Sequence, residues 1–530
     1  MLPDEAYYFM YSRELAWGYF DHPPAIALLI KIGTTFFSGE FGMRFLSVLI
    51  GTLSIYIIEK IVEPERPRLF YITVSSVAIL HFVGFLAIPD SPLMLFTVSF
   101  FWLYKQFLKD ASFKWAFLLG GCAALMMLSK YHAVLIIGLI VLSNLRLLTT
   151  RNFWVAVGIF LVAISPHIYW QFVNDFVSFK YQLIERAGDP YKIRYTAEYV
   201  GTLPFILGPV VSILMIIGTI ILPTKNKFEK ALKFCFWGVL IFFFFSSFNG
   251  WVEAHWILIT LAPGLYFGYK LAADTSFYEK VVRIQFWPII VLILLARFVV
   301  AFDILPENKL FHELRKNYHG KEKWASQIQA KAGNRPVIFL NSYKDPSLYT
   351  FLTGQESTAF NTLYSRKNQF NIWNYQEDYR GQDVAVIPGY FLNLDDSVIT
   401  SSKRVNIDFI ENYQPITNIW LEPLNLPSET RAGDTLSVKF SLEKTGVVNM
   451  DADPEYTCRI IYLFSDESER ISRVFTQIEI TNSMLDTEFN VPIIIPDYLG
   501  EVRFKAGVQS GWIPPGYHSD WKEITINARP

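Results

Sequence analysis

Charge is scarce in this sequence. Only 18% of its 530 residues are Asp, Glu, Lys or Arg, against 52% hydrophobic and 17% aromatic residues. Soluble domains carry about 25% charged residues, so a single water-soluble core is excluded. The scarcity is uneven. Up to about residue 301 the chain is a train of apolar segments, and from Asp303 onward it reads like an ordinary water-soluble protein. A membrane part followed by a soluble tail is the simplest account. Cysteine is also rare: of Cys122, Cys235 and Cys458 only the last lies in the tail, so the tail has no internal disulfide, which is neutral on compartment. An excess of either charge is missing as well, with 47 basic against 48 acidic residues and a formal net charge of -1. There is no bulk electrostatic case for a nucleic-acid partner. Met1 is not followed by a basic and then apolar stretch, so no signal peptide is expected. No repeat, low-complexity segment or structural-zinc spacing is visible.

What is present is a set of apolar runs. A bilayer core needs about 20 apolar residues per helix. Ten spans are expected: 43–62, 69–88, 91–108, 113–129, 132–148, 153–171, 200–222, 232–248, 254–272 and 284–302. The run 24–37 is short and is expected at the interface. Basic residues collect in alternate connections, such as Lys105, Lys109 and Lys114, or Lys225, Lys227, Lys230 and Lys233. By the positive-inside rule these connections are cytoplasmic, and both the opening loop and the tail then face outward. The same assignment gathers the acidic and His-bearing stretches on the outward side. These are Asp4, Glu5, Asp21 and His22; Asp90; Lys130 and His132; Asp175, Glu185 and Arg186; and Glu253 and His255. Polar groups at membrane depth are costly and face a cavity or one another, so an external cavity at the membrane boundary is expected.

The tail divides in two. Residues 303–403 combine a helical stretch near 321–332 with short apolar strands at Val337–Leu340 and Val384–Ile387, which suggests a small external α/β unit. Residues 404–530 alternate with period two through Leu436, Val438, Phe440 and Leu442, then Val502, Phe504, Ala506 and Val508, then Ile524, Ile526 and Ala528. That pattern predicts a β-sandwich of about seven strands.

The opening residues carry the densest chemistry. Asp4-Glu5-Ala6-Tyr7-Tyr8 is followed by Gly18-Tyr19-Phe20-Asp21-His22-Pro23-Pro24, all before the first expected span in a loop taken as 1–42. A carboxylate at an outward membrane edge could take the proton of an acceptor hydroxyl. A solvated loop carboxylate pair is the plain alternative. For Lys130, a helix-end lysine reaching for the interface is the alternative, and for His81 and His167 it is buried hydrogen bonding between helices. Glu253 and His255, in Asn249-Gly250-Trp251-Val252-Glu253-Ala254-His255-Trp256, are two apart and would point apart on a helix.

Together, the Asp4–Tyr8 and Gly18–Pro24 patterns with Arg44-Phe45-Leu46 resemble the first external loop of the GT-C membrane glycosyltransferases. The nearest branch is the bacterial relatives of dolichyl-phosphate-mannose–protein mannosyltransferases and of lipid A aminoarabinose transferases. Ile88-Pro89-Asp90-Ser91-Pro92-Leu93 resembles the second acidic motif of that family, and Leu128-Ser129-Lys130-Tyr131 a later one. The resemblance covers roughly 2–302, more weakly 303–400, and not the β-sandwich. In the family a transmembrane helix precedes the Asp-Glu loop, whereas this sequence begins at the loop, as a misassigned start or a truncation would leave it.

The resemblance implies a polytopic α-helical GT-C domain over 1–302. It implies a polyprenyl-phosphate sugar as donor, a lipid, glycan or protein acceptor, and transfer with inversion at the outer face of the bacterial cytoplasmic membrane. It implies Asp4 as general base with Glu5 helping to orient it, and Tyr8 and Glu253 in support. Asp90 and Asp21 would orient the acceptor or a cation, or Asp90 would fix a lysine. His22, Lys130, Arg186 and His255 would bind the donor phosphate. His22 stands where the aminoarabinose branch has a Lys. No cofactor is identified, and a divalent cation is left open. Two rival readings remain. A transporter or flippase of lipid-linked saccharide would show internal repeats and broken helices in matching positions. A non-catalytic membrane scaffold would tolerate replacement of Asp4, Asp90 and Lys130.

Overall fold

The computed structural model describes all residues except 186–190, 307, 310, 389–396, 400–403, 452–456, 467–470, 511–512 and 530. The chain forms two compact units, Met1–His319 and Gly320–Pro530. The division falls after His319 rather than at 302, because α16 (His312–Tyr318) stays with the first unit: His319 Nε2 donates to Val299 O at 3.1 Å.

The first unit is all helical. It runs α1 (Pro3–Arg13), α2 (Ala25–Phe36), α3 (Gly39–Val62), α4 (Pro67–Ser75), α5 (Leu80–Val83), α6 (Asp90–Lys109), α7 (Phe113–Met127), α8 (Ala133–Ser143) and α9 (Arg151–Val173). It continues with α10 (Val177–Lys180), α11 (Ile193–Leu207), α12 (Pro209–Ile221), α13 (Lys227–Ser246), α14 (Leu261–Asp274) and α15 (Ser276–Ala301). The expected opening loop is therefore corrected to two helices and a short connection. Pro3 at the first helical position and Asp4 and Glu5 in the first turn start α1, because proline presets the helical φ and acidic groups offset the orphan amides.

Among the described residues four helices are long and apolar enough to cross a membrane: Gly39–Val62, Arg151–Val173, Ala254–Asp274 and Ser276–Ala301. The bent pair α11–α12 makes a fifth. By length and composition alone, the described helices account for four or five of the ten expected spans. Helices α2, α7 and α8 are shorter than a bilayer crossing. Helices α6 and α13 reach about 30 Å but carry Asp90, Lys105 and Lys109, and Lys227, Glu229, Lys230 and Lys233. The run 69–88 is not one helix: α4 stops at Ser75 and only the single turn α5 follows. The run 200–222 bends by 102° at Gly208, whose φ of +86° suits glycine. Pro209 follows it and disfavours a helical conformation in the preceding residue. The two breaks meet. The Ile79 amide donates to Ile206 O at 2.9 Å, and a Cβ on Gly208 would stand 2.3 Å from Ser76 O. A second close approach lets α7 lie on α9, where a Cβ on Gly120 would meet Ala156 O at 2.3 Å; small residues permit such contact between membrane helices.

The second unit joins an α/β sheet to a β-sandwich. Strands β1 (Val337–Leu340), β2 (Ser357–Phe360) and β3 (Val384–Ile387) are fully buried, and β1 pairs in parallel with both others. After β4 (Ser397–Ile399) and β5 (Arg404–Asn406), β6 (Asp408–Ile410) completes the order β2-β1-β3-β6. The α/β sheet thus extends past the expected boundary at 403, because Ile410 pairs with Val384 in its core. Helices α17 (Lys321–Ala332), α18 (Lys344–Thr353) and α19 (Gln369–Trp373) accompany the sheet.

The sandwich contains β7 (Ile419–Pro423), β8 (Glu429–Arg431), β9 (Thr435–Lys444), β10 (Cys458–Asp466) and β11 (Ile471–Ile480). It is completed by β12 (Thr487–Ile494), β13 (Gly500–Ser510) and β14 (Lys522–Asn527). A five-stranded sheet β11-β10-β13-β14-β8 faces a three-stranded sheet β12-β9-β7. Val438, Phe440 and Leu442 interleave with Val502, Phe504, Ala506 and Val508 in one apolar core. Ala528 lies beyond β14 and is exposed.

His518 pins this unit. Its Nε2 donates to Ile416 O at 2.6 Å and its Nδ1 accepts from the Val508 amide at 2.9 Å. Burial, against the carbonyl bond that favours the charged form, lowers its pKa from 6.5 to about 4. Unfolded, the imidazole titrates near 6.5; folded, it stays neutral to about pH 4. Stability is therefore unaffected above pH 6.5 and falls as pH drops from 6.5 to 4, by about 3 kcal/mol in total. Hydrogen exchange of β13 amides in the full chain should show this slope, and His518→Gln should remove it. In the first unit, Gly208→Ala should lower stability by roughly 1–3 kcal/mol, read as a lower Tm in detergent. Gly201→Ala, where a Cβ meets open space, should not.

Candidate functional site

The carboxylate of Glu5 is fully buried in the first turn of α1. Arg44 of α3 donates to it twice, Nε to Oε1 at 2.7 Å and Nη2 to Oε2 at 2.5 Å. The Leu2 amide donates at 3.1 Å and the Ala87 amide at 3.0 Å. Glu5 thus clamps α1 to α3 and to the segment that leads, three residues on, into Asp90. Asp4, beside it, is half-buried.

Asp90 opens α6 and is 2% exposed. Lys130, in the turn between α7 and α8, donates to both of its oxygens, at 2.9 and 2.8 Å. His255 Nε2 stands 3.5 Å from the same carboxylate. Residues separated by 165 positions therefore meet because a 3₁₀ turn, Ala254–Thr260, runs into α14 beside α6. The Trp256 ring lies 5.9 Å from Lys130 Nζ and 4.7 Å from the His132 ring. Glu253 precedes this turn, its carbonyl accepting from the Trp256 amide at 3.0 Å, with its side chain half-buried.

A third group surrounds Asp21. The Tyr11 hydroxyl donates to Asp21 Oδ1. Burial, and next the Asp21 carboxylate, push the Tyr11 phenol well up, so it stays a donor. Tyr11 stacks on Tyr19 at 4.0 Å. His22 Nε2 lies 4.0 Å from Asp21, and Tyr8 meets the His22 ring edge-on at 5.5 Å. The strand of chain bearing these residues is tied to α9 and α10. His167 Nδ1 donates to Trp17 O at 2.6 Å, and its Nε2 faces the Tyr131 hydroxyl at 3.2 Å. Gln171 donates to Tyr131 and to Ser178, and Ser178 donates to Tyr19 O at 2.7 Å.

The structure thus joins Asp90, Lys130 and His255 by direct contact, and Asp21, His22 and Tyr8 by another set. Glu5 is bound up in the Arg44 clamp. Both oxygens of Asp90 accept from the Lys130 ammonium. Arg186 lies outside the described residues. Sequence reasoning gave Arg44 no role; an Arg within reach of a buried Glu is invisible without the fold. The His132–Trp256 contact and the Gln171–Ser178 relay were missed for the same reason. Among the described residues no group of three or more His, Cys, Asp or Glu is placed to hold a metal ion, and both Asp90 oxygens face the Lys130 ammonium. His167 is buried and bonded between α9 and its neighbours, and His81 Nε2 donates to Ser75 O at 2.8 Å.

Residues 21–170 match the family model described as dolichyl-phosphate-mannose-protein mannosyltransferase. Among solved structures the chain is similar to ArnT from Cupriavidus metallidurans. The apo form gives a TM-score of 0.52 at 13% identity, covering 76% of this chain and 93% of ArnT. The form bound to undecaprenyl phosphate gives 0.52 at 15%, covering 77% and 94%. The archaeal oligosaccharyltransferase AglB from Archaeoglobus fulgidus, solved with an inhibitory peptide and a dolichol-phosphate, aligns over 99% of this chain at 8% identity and a TM-score of 0.41. A search of curated proteins gives no match. The chain shares the fold of ArnT over about three quarters of its length, and residues 21–170 are similar to the mannosyltransferase family model.

Removing one partner of a buried ion pair strands the other. Lys130→Met should therefore cost about 3–5 kcal/mol, and adding Asp90→Asn should recover much of it. Thermal unfolding of the two single variants and the double variant in detergent checks this; a loss in the double variant equal to the sum of the two single losses would mean the pair is not coupled.

Proposed function

We propose that the chain is an enzyme of the cell envelope that moves a sugar from a polyprenyl-phosphate carrier to a lipid, glycan or protein acceptor. The observation that carries this reading is the Asp90–Lys130–His255 cluster, held three residues from the Ala87 amide that anchors the Asp4-Glu5 helix. An acid-bearing helix end and a fixed cation are thereby tied to one short stretch of chain, Ala87 to Asp90. Glycosyl transfer from a lipid phosphate needs these two parts. One group takes the acceptor's proton, and another accommodates the charge that grows on the departing phosphate.

In this reading Asp4 is the general base. It accepts the proton of the acceptor hydroxyl as the oxygen attacks the anomeric carbon from the face opposite the leaving group, which inverts that centre. The anomeric C–O bond breaks, and both of its electrons leave with the polyprenyl phosphate. Lys130, His255 and His22 are the cations and donors for that phosphate; Arg186 is a further candidate. Glu5 acts indirectly, by fixing the turn that carries Asp4. Asp90 holds Lys130 at one point, so little reorganisation is needed as charge develops. ArnT from Cupriavidus metallidurans has been solved with undecaprenyl phosphate, which supports a carrier of that chemistry. The positive-inside pattern supports a site facing the periplasm from the cytoplasmic membrane.

A transporter of lipid-linked saccharide is the second reading, favoured by the crossed breaks α4–α5 and α11–α12. The lysine fixed on a buried carboxylate beside a histidine, Asp90–Lys130–His255, favours the enzyme. The deciding experiment incubates the protein with radiolabelled polyprenyl-phosphate hexoses and a membrane extract. Wild type should release label from the carrier, and Asp4→Asn should lose about 10²–10⁴-fold in rate with expression and Tm intact. Turnover retained by Asp4→Asn would sink the general-base role, and no transfer from any donor would move the reading to transport.

A further inference from the structure

In the second unit the parallel strands β1, β2 and β3 all end at one edge. The chain goes from β1 to β2 on one side and then to β3 on the other. In open α/β sheets the crevice outside the carboxyl ends, where strand order reverses, is the place for a ligand. Here the chain leaving β1 and the chain leaving β2 are tied together. Asn341, left-handed at φ +57°, accepts from the amide and the hydroxyl of Thr362, both at 2.8 Å. Behind Thr362 a buried amide network sets the loop: Asn361 donates to Asn371, and Asn368 donates to Asn361 at 3.1 Å.

The sandwich meets this same edge. The Leu363 amide donates to Pro515 O at 2.7 Å, so the 362–367 loop and the connection between β13 and β14 lie side by side. Along the seam, half-exposed aromatic rings alternate with cations. The Arg366 guanidinium lies 5.7 Å from the Tyr343 ring, and that of Arg473 lies 4.2 Å from the Tyr364 ring. Lys367 Nζ stands 4.9 Å from the Trp420 ring and 4.6 Å from the Tyr517 ring. Beneath Tyr517 the fully buried Lys505 ammonium is 3.2 Å from the ring centre. Lys344, also over Tyr343, makes a fifth cation. Three carboxylates stand against these: Asp345 in the first turn of α18, Asp520, 3.4 Å from Lys367, and Glu422, which accepts from Trp420 Nε1 at 3.3 Å and is itself paired with Lys522.

We propose that this seam, with Tyr343, Tyr364, Arg366, Lys367, Trp420 and Arg473 as its surface, binds an anionic segment of a saccharide. Rings of this kind offer flat apolar faces to the C–H faces of pyranoses, with polar rims for hydroxyls. A guanidinium stacked on a ring presents its N–H groups in its own plane, where a carboxylate or phosphate accepts two at once. The excess of cations over carboxylates selects a charged glycan over a neutral one. Within the proposed function, this assigns the acceptor to glycans bearing uronate or phosphate groups.

Binding is read on the full chain in detergent with no donor present, so a failure to transfer sugar and a failure to bind glycan are separate results. Isothermal titration with oligogalacturonate should give saturable binding. Neutral malto-oligosaccharide of the same length and oligoglutamate should each bind at least about tenfold more weakly. Arg366→Gln with Arg473→Gln should weaken oligogalacturonate binding about tenfold or more, with a Tm equal to wild type. Trp420→Ala, which keeps the charges, should also weaken it, and it serves if the double variant loses fold. Equal affinity for the neutral oligosaccharide would overturn the proposal, and so would equal or tighter binding of oligoglutamate. Wild-type affinity in folded Arg and Trp variants would overturn it as well.

Discussion

Glu5 has no exposure to solvent, and its four donors come from three distant places: the Leu2 amide, two nitrogens of Arg44, and the Ala87 amide. An ionised carboxylate in such a place is tolerated only when paired and hydrogen-bonded on every side. That requirement fixes the geometry around it. It sets the start of α1 against α3, and it sets the chain before α6 against α1. Asp4, one residue away on the helix, and Asp90, three residues past Ala87, inherit their positions from this clamp. Phe85, two residues before Ala87, has the Arg44 guanidinium 4.8 Å from its ring, so the clamp is packed as well as bonded.

The same logic repeats at each level of the helical unit. In an apolar solvent a polar side chain must find its partner within the protein. Lys130 finds Asp90, His167 finds Trp17 O and Tyr131, and Gln285 donates to Ser76 Oγ at 2.8 Å where α4 breaks off. At the far end of α6 a second network obeys it too. Glu229 accepts from Tyr266 at 2.7 Å and Lys270 at 3.1 Å, and Lys105 reaches Glu63 at 3.1 Å. The acid- and His-rich end and the Lys-rich end are thus kept roughly 30 Å apart by the length of α6 itself.

The soluble unit is built on a different constraint. Its sheets bury alternating or continuous apolar strands, and the polar groups that remain inside are satisfied one by one. His518 is held neutral between a carbonyl and an amide. Tyr413, which burial pushes far above its usual value, donates to Gln376 at 2.8 Å. What is left on the surface at the seam of sheet and sandwich is an uncommon concentration of rings and cations, consistent with a surface kept for a ligand rather than for stability.

Much of this was legible in the linear chain. Apolar runs gave a helical membrane part, and period-two alternation through Val438, Phe440 and Leu442 gave a sandwich, because burial imposes its period directly on sequence. The strands Val337–Leu340 and Val384–Ile387 and the helix Lys321–Ala332 were readable for the same reason. The motif residues Asp4, Asp21, His22, Asp90 and Lys130 stood out as charges and imidazoles among apolar neighbours. What the chain did not show was which of them meet. Arg44 and Glu5 are 39 positions apart, Asp90 and Lys130 are 40 apart, and His255 joins from far beyond both. The breaks at Ser76 and Gly208 escaped as well, because hydropathy averages over a bend. So did the outer strand β6, which completes a sheet begun some seventy residues earlier. Local composition decides what each segment can be. Only the close packing of segments remote in sequence decides which buried charges share a partner, and therefore where the chemistry sits.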